Sequence, residues 1–211
     1  MSLKRVATFA GLLIGTAALV LQFYLTMVVR LGNGDSLFGA LWFLFTFFTI
    51  LTNLMLVLIY LADLDDTRFL GWWRAPVTRG MMAATMTVVT VFYHVMLAGL
   101  WQPTGLQLLA DITLHYVAPW FFIGWWLLFQ PHGHLTWRDI PTMTVFPLFY
   151  LGWAMLRGAI VGEYPYPILE ANKLGYGQVG INCLVMLALF VLLFAVAVGL
   201  DRLLGRRVAA T

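Results

Sequence analysis

The chain has 211 residues, of which 62% are apolar and only 10% charged. Soluble domains carry about 25% charged residues. Here the apolar residues gather in runs close to the about 20 helical residues that cross hydrocarbon, which excludes an ordinary soluble domain. The net charge of +3 sits in loops and at chain ends rather than on one basic face. It argues for membrane topology and against nucleic acid as a partner.

Six apolar runs follow one another along the chain. The first, 6–29, begins after Lys4 and Arg5 like a secretory signal. It is too long for a signal core and no small-x-small cleavage site follows it, so it reads as an uncleaved helix. Gly32-Asn33-Gly34-Asp35 ends it. The second run, 38–62, carries Thr46, Thr49, Thr52 and Asn53, and the third, 80–101, carries Thr85, Thr87, Thr90 and His94. Gln102-Pro103-Thr104-Gly105 is a tight turn. The fourth run, 105–129, holds Asp111 and His115, the fifth, 142–161, holds Arg157, and the sixth, 177–200, holds Asn182 and the single cysteine, Cys183. Period-two alternation is absent, so a β-barrel is not expected. The expectation is an all-α chain, a single six-helix transmembrane domain spanning residues 1–211.

Orientation follows from the basic residues. With the N-terminus inside, Lys4, Arg5, Arg68, Arg74, Arg79, Arg138, Arg202, Arg206 and Arg207 are cytoplasmic, and Arg30, Arg157 and Lys173 lie outside. Nine against three favours both ends in the cytoplasm and a multi-pass protein of the inner cell membrane. The last three arginines can also meet anionic lipid head groups.

Ionisable residues inside a membrane helix are costly and mark functional candidates. Thr46, Thr49 and Asn53 stand at i, i+3 and i+7, as do Thr87, Thr90 and His94, while Asp111 and His115 stand at i and i+4. Each set shares one stripe of a straight helix. At 1.5 Å per residue, Thr46 falls ~12 Å, Thr49 ~16 Å, Asp111 ~9 Å, His115 ~15 Å and His94 ~10 Å below the outer surface. Arg157 and Asn182 fall in the same outer layer. The convergence predicts a polar pocket in the outer half of the bundle. His132 and His134 lack a third ligand beyond Asp139, so that loop reads as a solvated turn rather than a metal site, and no cofactor is expected.

A hydroxyl nucleophile needs a base within hydrogen-bond reach and a group that orients the base. His115 can take a proton from a threonine of the second run, Asp111 can orient the imidazole, and Asn53, Arg157 or His94 can donate to an oxyanion. Two other readings use the same residues. His94 and His115 can act as axial ligands of a haem, or Asp111, His115 and Arg157 can serve a small transporter or receptor.

The stretch from Trp42 to Asn53, Trp-Phe-Leu-Phe-Thr-Phe-Phe-Thr-Ile-Leu-Thr-Asn, resembles the early helix of the androgen-induced protein family and its bacterial six-helix relatives. So do Leu114-His115-Tyr116-Val117-Ala118-Pro119 and Tyr164-Pro165-Tyr166-Pro167-Ile168-Leu169-Glu170. The three segments occur in the same order over about 130 residues. Animal members are membrane threonine hydrolases that cleave fatty acid esters of hydroxy fatty acids with one Thr and one His. The resemblance therefore implies a lipid or fatty-acyl ester as substrate, with His115 in the histidine role. It puts Thr49 or Thr46 in the nucleophile role, Thr49 being preferred for its depth beside His115.

Overall fold

The computed structural model describes residues 1–209, with side chains as far as Arg206. The Arg207 side chain, counted above among the basic residues, lies outside the described residues. Among these the chain is all-helical, without a strand. Five helices are long and apolar enough to cross a membrane, or six if one bent pair counts as a single span. The outer surface is apolar on every side. Leu13, Leu128, Phe149 and Leu184 are all more than two-thirds exposed. Such a surface belongs in lipid, since soluble monomers do not carry continuous apolar patches of this size. The chain is a membrane protein.

Helix α1 (Leu3–Gly32) is capped by Ser2, whose hydroxyl accepts from the Arg5 N–H. Its buried stripe is Thr8, Gly11, Gly15 and Ala18, one face at three- and four-residue spacing. The stripe is small because α3 lies against it. A Cβ on Gly11 would stand 2.3 Å from the Tyr60 ring. Gly11→Val is therefore expected to destabilise the bundle by about 1–3 kcal/mol, the usual overpacking cost. A lower thermal midpoint in detergent checks this, and an unchanged midpoint would refute the close packing.

The expected continuous helix at 38–62 is broken. Helix α2 (Leu37–Leu44) and helix α3 (Phe48–Leu64) meet at 79°. Phe47 is extended, at φ −80° and ψ 127°, which no helix continues through. At this break Thr46 leaves the stripe of Thr49 and Asn53, which stay one turn apart on α3, and the straight-helix depths expected for Thr46 and Thr49 no longer apply. Thr46 sits in the bend, 1% exposed, with its hydroxyl donating to the Trp42 carbonyl at 2.7 Å. Tyr150 and Trp153 fasten the bend by donating to the carbonyls of Thr46 and Phe45.

Arg74, at the end of the short helix α4 (Gly71–Arg74), donates to the carbonyls of Asp65 and Thr67 and closes that loop. Helix α5 (Pro76–Phe92) starts with proline at its first turn, where no N–H is needed. It ends in a π-helical turn, Tyr93–Leu97. Helix α6 (Gly105–Ile112) also runs into a π turn, Thr113–Val117, before helix α7 (Ala118–Phe129). The cause of the second π turn is Pro119. Lacking an N–H, it cannot satisfy the carbonyl four residues back, that of His115. That carbonyl accepts instead from the Thr90 hydroxyl at 2.8 Å.

Helix α8 (Ile140–Val161) contains Pro147 and stops at Gly162, which is left-handed at φ 79°. Helix α9 (Ala171–Ala209) starts six residues before the expected 177 and is kinked at Gly175. The core is built mainly from α3, α5, α7 and α9 around Tyr60, Met82, Met86, Phe122, Trp125 and Phe194.

At one end of the bundle Asp63 receives Lys4, Arg79 and the Thr8 hydroxyl. The loop after α7 docks there too, so the reading of a solvated turn is corrected for His132, while His134 is exposed. The His132 side chain is only 7% exposed, with Nδ1 3.1 Å from the Asp201 carboxylate.

Candidate active site

The π turn that Pro119 imposes aims His115 across the bundle at the first turn of α3. His115 Nε2 lies 3.2 Å from Thr49 Oγ1. The other ring nitrogen, Nδ1, is 2.9 Å from the Asp111 carbonyl and 3.3 Å from its carboxylate Oδ1. Both are acceptors, so the proton of the neutral ring resides on Nδ1 and Nε2 is left free to accept from the threonine. The i, i+4 pairing of Asp111 and His115 read from the sequence holds in space even though a π turn lies between them.

The π turn at the end of α5 supplies a residue that sequence reasoning missed. Tyr93 lies flat on the His115 ring, with centroids 3.9 Å apart and planes at 17°. Its hydroxyl donates to the Asp111 carboxylate Oδ2. Tyr93 therefore locks the imidazole on one face and holds the carboxylate beside it. A further missed residue is Tyr166, from the segment between α8 and α9. Its hydroxyl accepts from the Phe48 N–H at 3.0 Å. Burial pushes the Tyr166 phenol above its ordinary range, so it keeps its hydrogen and can donate. The signal for it was present in Tyr-Pro-Tyr-Pro, but nothing local says that this segment folds back over α3.

Thr49 is the second residue of α3. Its backbone N–H has no carbonyl partner among the described residues and faces the Tyr166 hydroxyl. It points with the N-terminal dipole of a 17-residue helix, a place that favours negative charge. Asn53, one turn further, donates to the Thr49 carbonyl at 2.8 Å and to the Leu114 carbonyl at 3.2 Å. It ties α3 to the π turn that carries His115.

The expected oxyanion donors lie elsewhere. Asn53 is spent on these two carbonyls. Arg157 is 3% exposed and donates to Glu163, through both the carbonyl and the carboxylate. His94 is exposed and bonds the Tyr116 hydroxyl at 3.0 Å. The π turn shifts it off the stripe it would share with Thr87 and Thr90 on a regular helix. Asn182 donates to the Ile168 carbonyl at 2.9 Å. None of these residues lines the cavities beside Thr49, nor does Thr46. The expected five-helix polar layer thus reduces to Thr49, His115 and Asp111, with Tyr93 and Tyr166 added.

Two cavities meet at this pair, and Thr49, Tyr93, His115 and Tyr166 line both. The larger, about 570 Å³, runs between α1, the α2–α3 bend and α6, and includes Gln22, Arg30, Asn33, Gln107 and Asp111. The smaller, about 100 Å³, lies between α5, α8 and α9 and is lined mainly by carbon, including Leu151, Cys183, Met186 and Phe190. A nucleophile–base pair with an orienting acceptor, at the junction of a mixed and an apolar cavity, can perform acyl transfer. Neither the family models, the curated proteins nor the solved structures compared with the chain yield a match.

Proposed function

We propose that the protein is a membrane-embedded ester hydrolase acting on lipid or fatty-acyl substrates, with Thr49 as nucleophile and His115 as base. The observation that carries this reading is the 3.2 Å contact between Thr49 Oγ1 and His115 Nε2. It places hydroxyl and base within hydrogen-bond reach, with Nδ1 already anchored on Asp111. The same residues agree with the resemblance to the androgen-induced protein family. The arrangement is set in six spans with both termini cytoplasmic, in the inner membrane, as the distribution of basic residues favours.

The steps follow from the geometry. His115 Nε2 takes the Thr49 hydroxyl proton as Oγ1 attacks the ester carbonyl carbon. The charge on the carbonyl oxygen falls at the N-terminus of α3, where the Thr49 N–H and the Tyr166 hydroxyl donate to it. The imidazolium, steadied by the Asp111 carboxylate, returns the proton to the departing alkoxide. Water, deprotonated by the same nitrogen, then releases the acyl group from Thr49.

Two other readings fit less well. A bis-histidine haem needs His94 and His115 free to face one iron. Here Tyr93 covers one face of His115, Thr49 occupies Nε2, and His94 turns to Tyr116. A transport path through Asp111, His115 and Arg157 needs Arg157 in the cavity, and it is committed to Glu163.

The test is labelling of the purified protein by a fluorophosphonate, with identification of the modified residue by mass spectrometry. The adduct is expected on Thr49 and is lost in Thr49→Ala and His115→Ala. It persists in Thr46→Ala. An adduct on another residue, or none on folded protein, would overturn the reading. Tyr166→Phe removes one oxyanion donor, and its kcat is expected to fall on the order of 10²-fold with KM little changed. An unchanged kcat would remove Tyr166 from the site.

A further inference from the structure

The two cavities that meet at Thr49 differ in chemistry, and each half of an ester would require one of them. The larger presents Gln22, Gln107 and Asp111, with Gln107 donating to Gln22 at 3.1 Å and Gln22 donating to Thr26 at 3.1 Å. These amides and the carboxylate suit hydroxyl or ether oxygens. Along α8 and α9 the smaller presents mainly carbon, with the sulfurs of Cys183 and Met186 and the Tyr150 hydroxyl, which is spent on the Thr46 carbonyl. Its outer wall is Leu148, which is 47% exposed on the lipid-facing side of the bundle. Cys183, Met186 and Leu187 of the same lining are also partly exposed, so the chamber reaches the outer surface between α8 and α9. Pro147 beside it leaves the Met143 carbonyl without its usual i+4 donor, a place where helices bend.

We propose that the apolar chamber between α5, α8 and α9 is the acyl subsite, entered sideways from the membrane past Leu148, and that Cys183 and Met186 set how much chain it accepts. The polar half of the substrate then occupies the Gln22–Gln107 cavity. The proposal rests on the hydrolase reading for the placement of the scissile bond at Thr49, but not for the occupancy of the chamber. An acyl chain is the fitting occupant for three reasons. The lining is mainly hydrocarbon away from the Thr49–His115 end, the chamber is continuous with that pair, and the surface outside Leu148 is already hydrocarbon-facing.

The experiment uses the full chain in detergent micelles and 1-O-hexadecylglycerol carrying a mid-chain diazirine. The ether linkage resists cleavage, so the readout is independent of activity. After photolysis, adducts are expected on segments 146–151 and 183–190, equally in wild type and in Thr49→Ala, and they are competed by unlabelled hexadecylglycerol. Adducts on α1 and α6 near Gln22 and Gln107 would reverse the assignment and overturn it. Adducts scattered over lipid-facing residues such as Leu13 and Leu128, and not competed, would overturn it as well. Met186→Trp and Cys183→Phe narrow the chamber. Each is expected to lower hydrolysis of long-chain p-nitrophenyl esters by about tenfold or more, the scale of hydrophobic-pocket discrimination, with the acetyl ester little affected. Equal loss for both chain lengths would count against the subsite. Competed chamber adducts in a protein that hydrolyses no ester would sink the hydrolase reading and leave the chamber standing.

Discussion

Thr49→Ala is expected to lower kcat/KM for ester hydrolysis by about 10³-fold or more, the loss that follows when a nucleophile and base working as a unit are separated. His115→Ala should fall to the same level, and the double variant no further, because one proton transfer is lost in each case. Thr49→Ser keeps the hydroxyl at the same place, 3.2 Å from Nε2, and is expected to restore most of the activity. Thr46→Ala should remain within about tenfold of wild type, since its hydroxyl is spent on the Trp42 carbonyl. Asp111→Asn separates two contributions. The backbone carbonyl of residue 111 still holds Nδ1–H at 2.9 Å, so the tautomer survives and only the charge is lost. The expected loss is well short of the about 10⁴-fold that a wrong tautomer costs a serine triad. Steady-state kinetics on a soluble short-chain ester give all six values. A Thr46→Ala loss matching that of Thr49→Ala would transfer the nucleophile role to the bend.

Asp201→Ala should be among the most destabilising substitutions in the chain, at about 3–5 kcal/mol. Asp201 is 2% exposed and its carboxylate accepts from the N–H groups of Gly133 and Leu135 at 3.0 and 2.8 Å. It also faces His132 Nδ1 at 3.1 Å, while His132 Nε2 lies 3.1 Å from the Leu127 carbonyl. Removing the carboxylate takes the acceptor from the buried Leu135 N–H and from His132 Nδ1, while the Gly133 N–H keeps the backbone carbonyl of residue 201 at 3.0 Å. Gly133 is left-handed at φ +89°, and a Cβ on Gly205 would stand 2.5 Å from the Gly133 Cα, so the loop has no room to settle elsewhere. Equilibrium unfolding in mixed micelles measures the loss. A change under about 1 kcal/mol would mean the loop is held by packing alone. Fluorophosphonate labelling of Thr49 should persist in folded Asp201→Ala, because this tether lies at the opposite end of the bundle from the site.

The helical runs were legible because length and hydropathy alone report them. The run 105–129 coincides with the span from α6 through α7. The pair Asp111 and His115 was legible because four-residue spacing survives the π turn between them. The break at Phe47 was not. The stretch Phe-Thr-Phe-Phe-Thr contains neither glycine nor proline, and its bend is held by Tyr150 and Trp153, about a hundred residues away in sequence. That single break moved Thr46 out of the reckoning and put Thr49 at a helix N-terminus. Tyr93 and Tyr166 escaped for a similar reason. An aromatic residue at a helix end carries no local sign of what it will cover.

Membrane character, helix type and the identity of the costly polar residues were decided by the sequence itself, because each depends on composition within one turn or one span. The tertiary structure decided which of those residues meet. It set aside His94, Arg157 and Asn182, and brought Thr49 to His115. The physical reason is backbone satisfaction. Pro119 frees the His115 carbonyl, Thr90 on another helix accepts the task of bonding it, and the resulting π turn rotates the imidazole toward α3. The proline can be read from the chain, but the partner that makes its consequence tolerable is supplied only by the fold.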